Sequence, residues 1–430
     1  MADEEKFDVI VVGAGLAGST AAYVLAKEGL QVLLIERGRQ AGAKNMTGGI
    51  IYSRVVHEVF PNFWEEAPVE RAITSYNIVF LGENSAVTLN LKAPGMGKPP
   101  YNAFSVLRAK FDQWIAGKAE ESGATLVTGV TVDELVMENG KVKGIRSGQD
   151  ELFADVVIDA EGAKSLLVEK AGLRGDFKPE DVSVGVKELI ELPEEAINER
   201  FNVGGGEGAS YTLVGYTKGI AGGGFLYTNK ASISLGIVAR IDMLAEKQVK
   251  VHELIEDYKL HPFISKLIEG GNVAEYSAQI IHEGGIAQVP RLYADGFLAA
   301  GSSACLLINN LFTLRGMDLA VASGAAAAKA VLKAKERNDF SASSLSAYES
   351  LLREAFILTD MEAFRRTPSL LNNRRFFTVY PDLACSVMEE LFSVNPAPSE
   401  KAFKVVRRHM KGKAGLLDVL KDLLEVYRAL

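Results

Sequence analysis

The chain has 430 residues, which is more than one ordinary hydrophobic core holds and predicts two or three packed regions. Apolar residues make up 48% of it and charged residues 24%, as in folded globular proteins. The net charge of -8 argues against a general nucleic-acid-binding protein, so we expect no nucleic acid partner. The first residues, MADEEKFDVIVV, are acidic where a signal peptide is basic, and no apolar stretch is long enough to span a membrane.

Cysteine is scarce in this sequence. Cys305 and Cys385 are far apart and form no CxxC pair, which fits a reducing, cytoplasmic compartment. The chain therefore lacks the four thiolates that an iron–sulfur cluster needs. The five histidines are scattered and no nucleophile or metal motif is found, so we expect no metal site and assign no catalytic residue.

The first predicted unit is a strand–turn–helix–strand motif. A buried strand, a glycine-rich turn, a helix and a second buried strand cover residues 7–12, 13–18, 19–28 and 31–35. In such a unit Gly13 makes the tight turn, Gly15 lets the backbone approach a pyrophosphate, and Gly18 lets helix and strand pack closely. Glu36 ends the second strand, 23 residues after Gly13, where a carboxylate accepts hydrogen bonds from ribose hydroxyls. The unit predicts FAD or NAD rather than NADP.

Three later segments bear on the choice of cofactor. The first begins a helix at Arg108. The second is a buried strand over residues 154–159 that ends in the turn Asp159–Gly162. The third is a strand and loop over residues 295–304, followed by an alanine-rich helix that starts near residue 316.

Together these segments resemble the glutathione-reductase-type FAD fold, in the subgroup of hydroxylases, geranylgeranyl reductases and electron transfer flavoprotein–quinone oxidoreductases. The resemblance implies that Arg108 contacts the FAD phosphate and ribitol region and that the segment at Gly301 contacts the ribitol. It also implies that the following helix points its N-terminus at the flavin pyrimidine ring, where it stabilises the negative charge of reduced flavin. The subgroup usually has Gly-Asp at the ribitol motif, whereas this sequence has Gly301-Ser302, which lacks the charge.

Two further stretches resemble one family within this subgroup. Residues 42–52 and 281–293 are similar to electron transfer flavoprotein–quinone oxidoreductases in their short FixC-type (EtfC-type) form, and the resemblance runs from about residue 7 to about 398. Mitochondrial-type relatives end in a ferredoxin-like domain with a [4Fe-4S] cluster, whose cysteines are missing here. The resemblance therefore implies that a separate small ferredoxin-like protein carries the cluster.

The same resemblance implies the partners and the reaction. This chain would be the FAD subunit that passes electrons from the alpha and beta subunits of an electron transfer flavoprotein to a membrane quinone, menaquinone or ubiquinone. In some organisms such an assembly is driven by NADH and bifurcates its electrons. We expect peripheral contact with the cytoplasmic face of the cell membrane.

The predicted FAD-binding residues follow from the motifs and the resemblance. They are Gly13, Ala14, Gly15, Ala17, Gly18, Glu36, Arg37, Lys44, Asn45, Gly48, Gly49, Arg108, Val130, Asp159, Gly162, Gly301, Ser302, Gly316 and Met317.

The predicted fold class is mixed α/β and α+β, with three parts. They are a glutathione-reductase-type FAD-binding Rossmann domain (1–70, 101–180, 281–340), a mostly antiparallel β quinone or substrate domain (71–100, 181–280), and a helical C-terminal region (341–430). Residues 85–91 and 232–238 alternate apolar and polar positions, as half-buried strands do, and Asn139-Gly140 predicts a hairpin turn. The glycine clusters 204–206 and 222–224 either let a quinone ring approach the backbone or connect strands.

The last thirty residues, 401–430, contain eight basic and three acidic residues and a stripe of leucines at helical spacing. The pattern fits a surface for anionic lipid, a docking helix for a partner, or a terminal helix packed on its own domain. The arginine pairs at 365–366 and 374–375 are equally consistent with membrane contact, with partner contact and with solvent-exposed charges in loops.

Two other functions remain open from the sequence. One is an FAD-dependent monooxygenase or a geranylgeranyl-type reductase, which share the fold and the FAD motifs. The other is an assembly subunit in which the FAD is structural.

Overall fold

Two large β-sheets contain most of the strands in the part of the chain that the structure describes. The structure is a computed structural model, which describes residues 6–43, 48–396 and 398–430. The strands are, in chain order, β1 (Lys6–Val12), β2 (Val32–Glu36), β3 (Gly49–Tyr52), β4 (Val69–Leu81), β5 (Ala86–Lys92), β6 (Ala103–Val106), β7 (Thr125–Thr128), β8 (Glu134–Glu138), β9 (Lys141–Ser147), β10 (Asp150–Asp159), β11 (Val182–Glu191), β12 (Glu207–Val214), β13 (Gly222–Thr228), β14 (Ser232–Arg240), β15 (Asn272–His282), β16 (Tyr293–Ala294), β17 (Phe297–Ala299), β18 (Ile308–Asn309) and β19 (Leu314–Arg315).

The α-helices lie between these strands and, after β19, follow one another to the end of the chain. They are α1 (Leu16–Lys27), α2 (Ser53–Val59), α3 (Arg108–Glu121), α4 (Leu166–Lys170), α5 (Glu194–Phe201), α6 (Ile241–Lys247), α7 (Val251–Leu260), α8 (Pro262–Ile268), α9 (Met317–Glu336), α10 (Ala342–Leu345), α11 (Ala347–Glu354), α12 (Ile357–Ala363), α13 (Thr367–Leu370), α14 (Arg375–Phe392), α15 (Ala402–Met410) and α16 (Leu416–Ala429).

The first sheet has a parallel centre. Its strand order is β16-β17-β10-β1-β2-β7, and β8 and β9 extend it from β10. The central strand β1 is apolar from Val9 to Val12, and Val9, Ile10 and Val11 have no exposed surface, as expected for a parallel strand covered on both faces. Helix α1 packs closely on α9: a methyl group added to Gly324 would lie 2.2 Å from the Ala17 carbonyl oxygen. This sheet is the predicted Rossmann unit.

The hairpin between β8 and β9 and the start of α1 were both predicted from the sequence. The hairpin at Asn139-Gly140 is confirmed: it joins β8 to β9, and both residues have positive φ, 50° and 79°. The first helix begins at Leu16 and not at residue 19, because the turn is already complete at the extended residue Gly15.

The second sheet is mostly antiparallel, in the order β15-β11-β14-β13-β12-β4-β6-β3, with β5 paired to β4. Only β4 and β12 run parallel among its described pairs. Strands β3 and β6 belong to this sheet, although the predicted domain ranges place residues 49–52 and 103–106 with the FAD-binding part. The division into domains at those ranges stays a prediction.

The expectation of half-buried strands was wrong at both tested stretches. Strand β14 is buried on both faces, because one face packs in a second hydrophobic core with α7 and the other has Ser234 against Gly48. Strand β5 lies at the sheet margin, where Leu89 and Leu91 are 65% and 53% exposed. Of the two glycine clusters, residues 204–206 form a turn before β12, whereas residues 222–224 begin β13.

The C-terminal region is helical, as predicted, and a buried carboxylate holds its last helix. Asp422 of α16 is 2% exposed. It accepts two 2.6 Å hydrogen bonds from Arg375, one of 2.8 Å from Asn373, and one from the Tyr380 hydroxyl. The neighbouring Arg374 pairs with Glu246 at 2.9 Å. The arginine pair at 374–375 is therefore used in ion pairs within the chain.

The apolar stripe of α16 is exposed within the described residues, although another face of the helix packs on the chain through the buried Asp422 and Ala429. The interpretation as a terminal helix docked on its own domain therefore holds for the helix but does not account for its leucine stripe. The residues of the stripe are 46% to 80% exposed: Leu416, Leu417, Leu420, Leu423, Leu424 and Tyr427. Within the described residues, none of the helices has the length and apolar character needed to cross a membrane.

Candidate functional site

A cavity of about 290 Å³ lies where the carboxyl ends of the parallel strands face the second sheet. Binding sites of α/β proteins form at this edge of a parallel sheet. The cavity brings together many of the predicted residues: Gly13, Gly15, Ala17, Glu36, Arg37, Gly48, Gly49, Arg108, Gly162, Ser302, Gly316 and Met317. The remaining described members do not line it: Ala14, Gly18, Val130, Asp159 and Gly301. Lys44 and Asn45 are outside the described residues.

The glycine-rich turn has the geometry that its sequence predicts. Gly13 has φ +103°, and a methyl group on it would lie 2.3 Å from the Ala160 carbonyl oxygen, so only glycine fits. Gly18 is equally tight, since its added methyl group would lie 1.9 Å from the Gly13 carbonyl oxygen. Gly15 differs: the nearest atom to its added methyl group is the Arg108 guanidinium, at 3.9 Å. Its open side therefore faces the cavity.

Among the described residues, no side chain caps the N-terminus of α1. Its first backbone N–H groups and the positive end of the helix dipole are available to an anion beside Gly15. This arrangement fits a pyrophosphate.

Glu36 is held in a fixed orientation at the end of β2. Its two carboxylate oxygens accept hydrogen bonds from the backbone N–H groups of Ala14, at 3.1 Å, and Gly38, at 2.6 Å. Its own carbonyl oxygen accepts a 3.1 Å hydrogen bond from the Val130 N–H. Each carboxylate oxygen keeps a lone pair for a ribose hydroxyl. Ala14 and Val130 thus position Glu36 from behind.

Arg108 is clamped at the cavity wall by a residue that sequence reasoning missed. Its Nε and Nη2 donate to the two carboxylate oxygens of the buried Asp112, at 2.6 and 2.7 Å. The i, i+4 spacing of the two residues on α3 was the available signal. A bidentate pair fixes the guanidinium plane and leaves other N–H groups free to bind a phosphate.

The turn after β10 is tied to the segment after β17. Asp159 is fully buried, and one carboxylate oxygen accepts from the Glu161 N–H at 2.8 Å and from the Ser303 hydroxyl at 3.1 Å. Burial, together with the neighbouring Glu161 carboxylate, raises the pKa of Asp159. Ser302, at the position where the subgroup usually has aspartate, is exposed towards the cavity. Asp159 and Ser303 therefore support the wall, and Ser302 and Glu161 form it.

The N-terminus of α9 lines one end of the cavity, and Glu36 lines the other. No side chain in the described part of the chain caps this helix at Gly316, and a methyl group on Gly49 would lie 2.8 Å from the Met317 Cε. Asp318, in the first turn, is buried and pairs with Arg315 at 2.6 Å. Burial raises the pKa of Asp318, and the pair with Arg315 opposes this rise. Since Arg315 balances the carboxylate, the helix N-terminus keeps its positive character.

The second sheet supplies an apolar wall that the prediction missed. Phe225 and Tyr227 of β13 lie stacked, with centroids 5.1 Å apart, and both line the cavity with Val238 of β14. A methyl group on Gly236 would lie 2.2 Å from Phe225 Cζ, so this glycine gives the ring its place. The alternation of Phe225 and Tyr227 along β13 indicates that both face one side, but not that this side faces a cofactor.

His282, at the end of β15, lies in the same wall. Its Nε2 is 2.8 Å from the Ala163 carbonyl oxygen, and its ring lies 4.3 Å from that of Phe177. Burial lowers the pKa of His282 to about 4, so the imidazole is neutral near pH 7. Among the described residues no group of histidine, cysteine, aspartate and glutamate could hold a metal ion.

The chain matches three protein families in succession. Residues 8–177 match "FAD dependent oxidoreductase", residues 182–281 match "ETF-QO, ubiquinone-binding", and residues 367–430 match "ETF-QO/FixC family C-terminal domain".

Curated relatives match over nearly their full length. The "Probable electron transfer flavoprotein-quinone oxidoreductase YdiS" of Escherichia coli strain K12 is 47% identical, over 97% of this chain and 98% of the relative. "Protein FixC" of the same strain is 46% identical over the same shares, and "Protein FixC" of Azorhizobium caulinodans is 39% identical over 96% of both chains.

Solved structures agree on the fold. A geranylgeranyl bacteriochlorophyll reductase-like protein from Thermoplasma acidophilum has a TM-score of 0.74 at 22% identity and covers 98% of this chain and all of the other. The flavin-dependent brominase Bmp2 has a TM-score of 0.63 at 16% identity and covers 98% of this chain and 99% of its own. The predicted fold class, family and FAD-dependent oxidoreductase class are confirmed, and this chain belongs to the electron transfer flavoprotein–quinone oxidoreductase/FixC family.

Proposed function

We propose that this protein takes electrons from an electron transfer flavoprotein and passes them, through its FAD, to a membrane quinone. One observation carries the proposal: the residues matched to the ubiquinone-binding family include the strands whose inner face lines the same cavity as the dinucleotide motif. A quinone on that face would lie against the flavin, with no second redox centre in between.

We assign the FAD to the cavity in an extended conformation. Glu36 would hold the adenosine ribose, Gly15 and the N-terminus of α1 the pyrophosphate, and Arg108 the phosphate and ribitol region. The flavin ring would lie at the other end, against Gly49 and Met317, with the quinone between the ring and the second sheet. The bound FAD supplies the redox chemistry, and the chain binds it, orients it and excludes water.

The apolar wall suits a hydrophobic electron acceptor. Phe225, Tyr227 and Val238 offer two ring faces and an aliphatic side chain to a flat apolar molecule. Burial raises the pKa of Tyr227, so its hydroxyl stays protonated near pH 7. The wall therefore places a quinone by packing rather than by charge.

Filling this wall should block the quinone and leave the electron donor unaffected. We expect Val238→Trp to slow quinone-dependent reoxidation of the flavin about tenfold or more, because forcing a side chain into occupied space costs about 1–3 kcal/mol. Anaerobic stopped-flow absorbance of the FAD-loaded protein measures this rate, and flavin reduction by the electron transfer flavoprotein should stay within a factor of about two.

Thr88→Trp is the matched control, since it adds the same indole on the exposed strand β5 of the same sheet. A Val238→Trp protein that reduces quinone at the control's rate would place the quinone elsewhere. Unmodified protein whose reduced flavin is not reoxidised by any quinone would refute the proposed function.

The electron donor and the cluster carrier are separate chains in this proposal. Cys305 and Cys385 are both buried, which supports placing a [4Fe-4S] cluster on a small ferredoxin-like partner. Native co-purification with flavin and iron analysis tests this: iron should follow the partner and not this chain. Reduction of ferredoxin driven by NADH in the purified assembly would identify it as bifurcating.

We also propose that α16 is the membrane contact. Its exposed leucine stripe lies in a segment with five more basic than acidic residues, the combination that anionic lipid surfaces bind. We expect the double variant Leu420→Asp, Leu424→Asp to bind anionic vesicles more than about tenfold more weakly. Two leucine side chains inserted into the lipid contribute about 3 kcal/mol or more to binding.

Vesicle co-sedimentation measures this binding, and Leu89→Asp serves as the control. Leu89 is 65% exposed on β5, so its substitution also removes a surface leucine and adds a charge. Equal binding by both variants would contradict the assignment of α16.

The alternative activities make different predictions. Similarity at 22% identity to a geranylgeranyl reductase-like structure reflects the fold alone, so it favours no substrate. Oxygen uptake driven by NADH or NADPH with an aromatic substrate would favour a monooxygenase, and reduction of a geranylgeranyl double bond would favour a reductase.

A further inference from the structure

Lys187 is a buried amine behind the wall of the cofactor cavity, and no role described above uses it. It lies in the middle of β11 and is 1% exposed. Its Nζ donates a 2.7 Å hydrogen bond to the carbonyl oxygen of Gly48. Gly48 and Gly49 both line the cavity. The side chain therefore crosses from the second sheet to the backbone that borders the proposed FAD site.

The backbone at Gly48 leaves room for this contact. Gly48 has φ +77°, and a methyl group on it would lie 2.6 Å from the Ser234 hydroxyl oxygen and 3.3 Å from Lys187 Nζ. The next residue, Gly49, touches Met317 at the start of α9. Lys187 thus lies at the flavin-ring end of the cavity and not at the adenosine end near Glu36.

Two charged groups act on the amine from neighbouring elements. Glu275 of β15 attracts its charge, and Arg108 of α3 repels it. Burial is the larger influence and lowers the pKa of Lys187 to about 7. An apolar residue of the same length would pack here without the cost of removing an ammonium group from water. The burial of this amine therefore calls for a functional reason.

We infer that Lys187 is a positioning residue that compensates the negative charge placed on the flavin by reduction, and so raises the flavin's reduction potential. This inference rests on the proposed placement of the flavin ring at Gly49 and Met317. Two electrons come from the electron transfer flavoprotein, and one solvent proton binds the flavin, leaving one negative charge. One more solvent proton binds Lys187 when its amine is neutral. Both electrons and both protons leave when the quinone is reduced to the quinol.

The test is a redox titration of the FAD-loaded protein, followed by flavin absorbance in the absence of electron donor protein and quinone. At a fixed potential, Lys187→Met should lower the ratio of reduced to oxidised flavin about tenfold, equivalent to about 30 mV for a two-electron couple. Above a pH of about 7, the ratio of reduced to oxidised flavin should fall more steeply with pH in unmodified protein than in Lys187→Met. The additional fall should be up to about tenfold per pH unit, because reduction then takes up one more proton at Lys187.

Two variants separate charge from packing. Lys187→Arg should keep most of the potential but lose the extra pH dependence, because a guanidinium stays charged. Lys230→Met is the control, since it removes a positive charge at the exposed turn between β13 and β14 of the same sheet.

The outcomes distinguish this inference from the proposed function. If Lys187→Met and Lys230→Met have the same potential and pH profile as unmodified protein, the inference is wrong, whether or not quinone is reduced. The same holds if Lys187→Met only lowers FAD affinity, which a structural role would explain. If the potential shifts but unmodified protein reduces no quinone, the inference stands and the proposed function fails.

Discussion

Replacing Gly15 by valine should give a folded protein that purifies without FAD. Among the described residues, the atom nearest the new Cβ is in the Arg108 guanidinium, at 3.9 Å, and the side chain projects into the space assigned to the pyrophosphate. The backbone of Gly15 is already extended at φ -80°, so valine adds no strain there. We expect FAD affinity to fall at least about 100-fold, or about 2.7 kcal/mol. Flavin absorbance and titration with FAD measure this.

Gly117→Ala, on α3, is the matched control. A methyl group there meets no atom within 4 Å, so FAD binding should be unchanged. Both variants should melt close to the FAD-free unmodified protein. A Gly15→Val protein that keeps its FAD would show that the cofactor lies elsewhere.

The second large effect is expected at Asp422. Substitution by alanine leaves Arg375, Asn373 and Tyr380 without their shared acceptor at the base of α16. Asp422 is buried but Arg375 is 34% exposed, so water compensates part of the loss and we expect a cost of about 1–3 kcal/mol. We therefore expect α16 to detach, so that limited proteolysis cleaves the chain near residue 415 much faster. FAD content should stay unchanged, because α16 is not part of the cavity.

The control for Asp422→Ala is Glu425→Ala, which removes the same charge from an exposed position of the same helix. Equal cleavage of both variants would contradict the anchor. Acid gives an independent check. The hydrogen bonds from Arg375 hold the pKa of Asp422 below its usual value, so this stabilisation is complete above the unfolded carboxyl pKa of about 3.9. It is lost as the pH falls through the lower, folded value, and α16 should stay docked until then.

The part of the site that the sequence predicted well is local. Gly13, Gly15, Gly18 and Glu36 belong to one strand–turn–helix–strand unit, whose geometry is set by neighbours within thirty residues. The same holds for the hairpin at residues 139–140. In such segments, backbone sterics and hydrogen bonds leave few alternatives, so residue type and spacing are sufficient.

The rest of the site depends on pairing between distant strands. Phe225 reaches the cavity and Lys187 the back of its wall because β13 and β11 lie in a sheet that also contains β3, about 130 residues earlier in the chain. Alternation along a strand gives two faces but not the partner of either face. For the same reason β14 looked half-buried: its polar-looking face lies at Gly48 and the cavity and not in bulk solvent.

The path of the chain between the two sheets limits how a large molecule can enter. It passes from one sheet to the other after β2, β6, β10 and β15, so four separate connections join them. A hinge can open two rigid halves only if all the connections between them bend about one axis. Two halves joined by one or two connections meet this condition most easily. Entry and exit of a large molecule should therefore depend on local movement of short segments at the cavity mouth and not on separation of the two sheets.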